Sequence, residues 1–281
     1  MPGSYWRSVA EDDFEVPADR PLDDLTAELT RMLGSTDPEV RDGTAYPALA
    51  TWTERGVYDD LLPGLGDGMA SGLTVGLGEA GTDTVFRRSF SVLILGECLA
   101  RDNVAGLLPG GKILEWGDRV ATWCLREQDL RGFVPGKGWA HAVAHGADAL
   151  ASLAESPHLR TNELTVLLDV VADRLALSAD AVFTAGEPDR MAAATMAVLR
   201  RNLVPLRVIE PWVARIAGTA QQRTSSEVDP FLARGNAQAF LRALYLQLSL
   251  APSPPEVRSD LLLVLVDALR QTTPHYLAAR S

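Results

Sequence analysis

Cysteine is scarce in this chain, with only Cys98 and Cys124 among 281 residues, each set in an apolar helical stretch. Two such thiols behave as small buried hydrophobes in a reducing compartment. The absence of a C-x-x-C spacing argues against the pair as a metal centre. Basic charge is also in deficit. There are 26 Lys and Arg against 37 Asp and Glu, for a net charge of -11. A protein that neutralises phosphates needs the opposite balance, so nucleic acid is not the expected partner. Long apolar runs are missing too. The best stretch, Leu261 to Leu269, is far short of the ~18 residues a membrane span needs, and it carries Asp267. The first residues place acids where a secretory leader needs an apolar core, so the expected location is the cytoplasm. There is no P-loop, no G-x-G-x-x-G after a strand and no G-x-S-x-G elbow. The glycine-rich pieces LPGLGDG and LLPGGK lack the strand that would make them phosphate cradles.

What is present reads as helix. Hydrophobic residues make up 47% and charged residues 22%, ordinary values for a folded protein. Residues 1–20 are polar and acidic and are expected to be flexible. Residues 21–281 are expected to form a single all-helical domain. Leu22, Leu25, Leu29 and Met32 recur at helical spacing, as do Ile113, Trp116, Val120, Trp123 and Cys124. TDTVFRRSFSVLILGECLARDN is apolar nearly all round and predicts a buried helix. Thr161 and Asn162 are placed to cap another. Pro205 and Pro211 are expected to interrupt the segment they share. No alternating strand pattern occurs. Helices recur roughly every 20 to 25 residues, so pairs recur at the period of HEAT or armadillo stacks. The expected fold is all-α, a HEAT/armadillo-like superhelix of about ten to twelve helices.

One segment carries chemistry. In GKGWAHAVAHGADALASLAES, helical spacing puts His141, His145 and Asp148 on one face. The chain has four histidines, and two stand here. Three readings are open. Imidazoles at i and i+4 suit a metal, with Asp148 as an oxygen ligand, although no Glu sits between them as in H-E-x-x-H. The same groups suit acid–base or ligand-binding chemistry without metal, and no cofactor is then required. They also suit plain helix packing. Trp139 would face away from the histidines in a regular helix and pack in the core. With a distorted first turn it would become a stacking platform.

The approach loop EQDLRGFVPGKGW places Glu127, Asp129, Arg131 and Lys137 just before this segment, with three glycines that allow close approach to a ligand. Asp129, Arg131, Lys137 and Trp139 are therefore candidate substrate contacts. So are Arg242 and Tyr245, because an Arg within the apolar helix AFLRALYLQL needs a partner if buried. His158 and His275 read as surface residues.

At E-x-D-L-R-G-F-V-x-G-K-G-W-A-H-A-V-A-H-G-A-D, the sequence resembles an uncharacterised bacterial domain-of-unknown-function family with a Gly-Trp-Ala-His-x-x-x-His-x-x-Asp helix. EPDRMAAATMAVL and AFLRALYLQL are similar to its downstream pattern, and the resemblance runs from about residue 25 to about 275. It implies an all-helical, HEAT-like fold and marks His141, His145 and Asp148 as motif positions. It names no reaction. The expected function is a small-molecule or peptide site on a concave face, with His141 as acid/base or ligand, His145 as its partner and Asp148 as the orienting carboxylate. The alternatives are a non-enzymatic scaffold gripping a protein partner and, third, a metal-dependent hydrolase.

Overall fold

Leucines one helical turn apart after Pro21 point the same way, and Leu25 and Leu29 are fully buried. The computed structural model describes residues 2–177, 180–221 and 229–277, with the side chains of 2, 3, 274 and 275 outside that description. The fold is all-α. Helices α1 (Pro2–Glu11), α2 (Leu22–Met32) and α3 (Pro38–Val40) lead into a π-helical turn at Arg41–Ala45. Next come α4 (Tyr46–Glu54), a 3-10 turn at Asp59–Leu61, α5 (Leu62–Gly72), α6 (Thr84–Ala105) and α7 (Gly110–Arg126). A hairpin of β1 (Phe133–Val134) and β2 (Gly138–Trp139) precedes α8 (Ala142–Glu155). The chain continues through α9 (Thr161–Ala176), α10 (Glu187–Arg200), α11 (Leu206–Thr219), α12 (Phe231–Leu250), α13 (Arg258–Thr272) and α14 (Pro274–Leu277). Among the described residues, no helix is long and apolar enough to cross a membrane.

The chain divides into two compact units, residues 1–149 and 150–281. In the first, α2 packs on α4, α4 on α6, and α5 on both α6 and α7. Gly66 makes the α5–α7 contact, since a Cβ there would overlap the Trp116 indole. The stripe expected on α7, Ile113, Trp116, Val120, Trp123 and Cys124, is buried. Helix α6 buries residues on every side, as its composition predicts. In the second unit, α11 packs on α9 and on α13, while α12 packs on α10 and also meets α13. The Trp212 indole N–H donates to the Leu168 carbonyl across 2.7 Å, tying α11 to α9.

Several local expectations differ from the structure. Residues 2–11, within the segment expected to be flexible, form α1 and bury Trp6 and Val9. The Trp6 indole donates to Glu28 across 2.8 Å, which docks α1 on α2. Helix α11 runs through Pro211 rather than breaking there. Helix α9 starts at Thr161 itself, and its cap is one residue earlier. The Arg160 backbone N–H donates to Glu163 across 2.9 Å, so the reciprocal half of a capping box closes the end.

Candidate functional site

The histidine segment is built by the hairpin. Gly136 and Gly138 take positive φ of 76° and 78°, which lets the chain reverse between Phe133 and Trp139. The pairing then runs on past the strands. Ala140 N donates to Gly132 O at 2.9 Å, and His141 N donates to Arg131 O at 3.0 Å. The chain therefore stays in the hairpin through His141, and α8 begins only at Ala142. This corrects the expectation of three motif residues on one helical face. His141 stands outside the helix in the left-handed region, with φ 53°. A residue with a Cβ pays roughly 1–2 kcal/mol for that conformation. Its carbonyl accepts from His145 N at 3.0 Å and so holds the first turn of α8. Asp148 lies on α8 one turn beyond His145, half-buried.

The rings form a chain of contacts. Trp139 stacks on His141, with centroids 4.6 Å apart and planes 22° apart. His141 meets His145 edge-on at 5.7 Å, and His145 meets Phe90 of α6 edge-on at 5.0 Å. Phe133 packs edge-on against Trp139 at 5.2 Å. Burial grades along this series. His145 is 7% exposed, His141 9%, Trp139 41% and Phe133 57%. Trp139 is thus a partly exposed ring stacked on His141, and not the core residue a regular helix would make it.

Sequence reading missed the residues beneath the rings. The Ser89 hydroxyl, fully buried on α6, touches His145 Nδ1 at 2.7 Å and donates to the Ala140 carbonyl. Arg41, also fully buried, lies 4.2 Å over the Phe86 ring and 4.9 Å over Phe90. It donates to the Ser35 carbonyl at 2.7 Å, to Asp42 at 2.6 Å and to the Lys137 carbonyl at 2.8 Å. The Tyr46 ring meets Phe90 edge-on, and its hydroxyl donates to Glu97 at 3.0 Å. Burial pushes the Glu97 carboxyl above its ordinary range, and the Glu54 charge adds to the rise. Apart from the Arg41 bonds to Ser35 and Asp42, these contacts join segments far apart in the chain, so no local spacing announces them.

The charged residues of the approach loop are held in ion pairs, two of them with residues at and near the start of α6. Glu127 accepts both arms of the Arg88 guanidinium, at 2.6 and 2.9 Å. Asp129, buried, accepts from Arg131 at 2.8 and 2.6 Å and from Gly81 N at 2.9 Å, while Arg131 also donates to the Thr82 carbonyl. Lys137 pairs with Asp83 at the start of α6, at 2.6 Å. The loop is thereby stapled to α6 and to the segment before it. Arg242 does not need the partner its sequence setting implied. It is exposed on α12 in the second unit, as is Tyr245, because Leu241, Ala243 and Leu244 take the buried side. His158 is exposed, and the side chain of His275 lies outside the described residues.

Among the described residues, no three His, Cys, Asp or Glu side chains are placed together to hold a metal ion. A cavity of about 760 Å³ lies between α1, α2 and the π-helical turn, lined in part by Trp6, Arg7, Arg31 and Met32. It does not include the histidines.

Residues 73–246 match the model of a family described as "Protein of unknown function (DUF2785)". No curated protein and no solved structure matches the chain.

Proposed function

The chain belongs to the DUF2785 family of proteins of unknown function, and from its own geometry we propose that it binds a small molecule or short peptide at the Trp139–His141–His145 corner. One observation carries the reading. His141 is held left-handed, at a cost, with its ring stacked on Trp139, a residue that is itself 41% exposed. A histidine kept only for packing needs neither the strained backbone nor a partly open platform. The platform offers a flat apolar face, and the imidazoles behind it offer polar atoms, which is the usual division of labour in a ligand site. The same imidazoles, with Asp148 one turn on, suit acid–base chemistry on whatever binds.

The alternation of packing, α9 with α11 with α13 and α10 with α12, supports reading the helices as HEAT-like rows. The two buried cysteines, neither in a disulfide, and the acidic composition favour a cytoplasmic setting. The resemblance of the motif favours a bacterial one. A second reading, a protein-binding scaffold, draws on exposed leucines in the second unit, Leu246, Leu250 and Leu263.

The test is a thermal-shift screen of the full chain against a panel of neutral, anionic and cationic metabolites and short peptides. Ligands of the corner raise the melting temperature of the wild type and leave the Trp139→Ala variant where it was. Hits that stabilise both proteins equally would place binding elsewhere and sink the proposal.

A further inference from the structure

We propose that the cavity between α1, α2 and the π-helical turn is a second binding site, and that it takes a small zwitterion with an apolar side chain, a free amino acid or a dipeptide. It shares no residue with the histidine corner and does not depend on that reading.

The cavity holds about 760 Å³. Small-molecule sites occupy roughly 300–1,000 Å³. Ala10, Met32 and Val40, each half-buried, give it apolar wall. Its charges are of both signs. Arg7 of α1, Arg31 of α2 and Glu39 of α3 all line it, and all three are exposed.

Among the described residues, neither arginine has an ion-pair partner. Arg31 donates from Nε to the Ala27 carbonyl at 3.3 Å, and its two terminal nitrogens make no bond. Acids are not lacking, since Glu28 and Asp37 line the same cavity. Glu28 already accepts from the Trp6 indole at 2.8 Å and from Arg20 at 2.7 Å. Asp37 accepts from the Glu39 backbone N–H at 3.0 Å and caps α3. Elsewhere in this unit Arg55, Arg88 and Arg101 each pair with a carboxylate. The Glu39 carboxylate likewise has no partner among the described residues. It faces Gly43, where a Cβ would stand 3.4 Å from its Oε2, so bare backbone leaves it room. Gly43 belongs to the π-helical turn, which sets a wider turn into the helical run from α3 to α4 as Tyr46 N donates to Arg41 O. Single π turns of this kind recur at functional sites.

Guanidiniums hold carboxylates through paired N–H donors, so Arg7 and Arg31 suit the acid end of the ligand. Glu39 suits an ammonium. Three acids against two bases line the cavity, which favours a ligand of zero net charge over a dianion.

Isothermal titration calorimetry of the full chain with leucine and with the dipeptide Leu-Leu tests this, beside the N-acetyl and C-amide forms of each. A free zwitterion is expected to bind, and loss of either end charge to weaken it about tenfold, the worth of one charge-assisted hydrogen bond. The Arg7→Gln/Arg31→Gln variant is expected to lose the same factor and to become indifferent to the C-amide. Glu39→Gln is expected to become indifferent to N-acetylation. Trp139→Ala keeps wild-type affinity. No binding of either zwitterion, capped forms that bind as well as free ones, or an arginine variant with wild-type affinity would each overturn the proposal. So would inorganic phosphate binding more tightly than either zwitterion. Affinity lost in Trp139→Ala and kept in the arginine variant would overturn it as well, and would move the ligand to the histidine corner. If a variant does not fold, the capped ligands decide on the wild type alone.

Discussion

Glu97 shows how much one carboxyl can say about its surroundings. Burial raises its proton affinity in the folded chain, so the protonated form is the one the fold favours. The stability it contributes is therefore present in acid and lost as pH rises through the raised folded value. At neutral pH the charged carboxylate is a cost. Glu97→Gln keeps an acceptor for the Tyr46 hydroxyl and removes the charge. The expected result is a melting temperature above wild type at neutral pH, with the gap closing below the ordinary Glu range. A variant that melts lower than wild type at neutral pH would show that the ionised form is needed. Other residues at this scale were hidden from the sequence for a physical reason. Nothing local marks a non-glycine residue that will be forced to positive φ, so His141 read as helical. Ser89 sits 56 positions before its imidazole partner. Arg242 misled in the opposite direction, because apolar neighbours in sequence are not neighbours on a helix face.

Elements were more legible. The stripe on α7 and the all-round apolar character of α6 gave both helices and their burial, since periodicity records which side meets the core. Helix α1 was not legible, because its anchors are only Trp6 and Val9 in a polar stretch. The ties between elements were also unreadable. Arg88 and Glu127, both buried, join α6 to the end of α7, and Arg88 donates further to the carbonyls of Val75 and Gly76. Removing one member strands a charge in the interior, at about 3–5 kcal/mol. Chemical denaturation of Arg88→Met, Glu127→Leu and the double variant is expected to show strong non-additivity, with the double losing far less than the sum. Simple addition of the two losses would mean the ions are not coupled in this way.

For the whole molecule, charge is the plainest statement. An excess of 37 acidic over 26 basic side chains gives a surface field that repels phosphate backbones. In an electrophoretic mobility assay at physiological salt, the chain is expected to leave duplex DNA unshifted at micromolar concentration. A salt-sensitive shift would expose a basic patch that composition conceals. The all-helical class was legible at this scale because alternation was absent and turns recurred evenly. The two-residue hairpin was not, since it rests on Gly136 and Gly138 and on bonds that no period reports.

The floor of the histidine corner is laid by residues far upstream of it. Arg41 holds the Lys137 carbonyl across 96 positions of chain while resting on Phe86 and Phe90. Closing so long a loop is slow relative to forming a local turn. A growing chain thus reaches the motif with its support already made but not yet joined to it. An isolated peptide copying residues 127–155 would carry every letter of the motif and none of the ground it stands on. The corner belongs to the finished tertiary structure rather than to the motif that marks it.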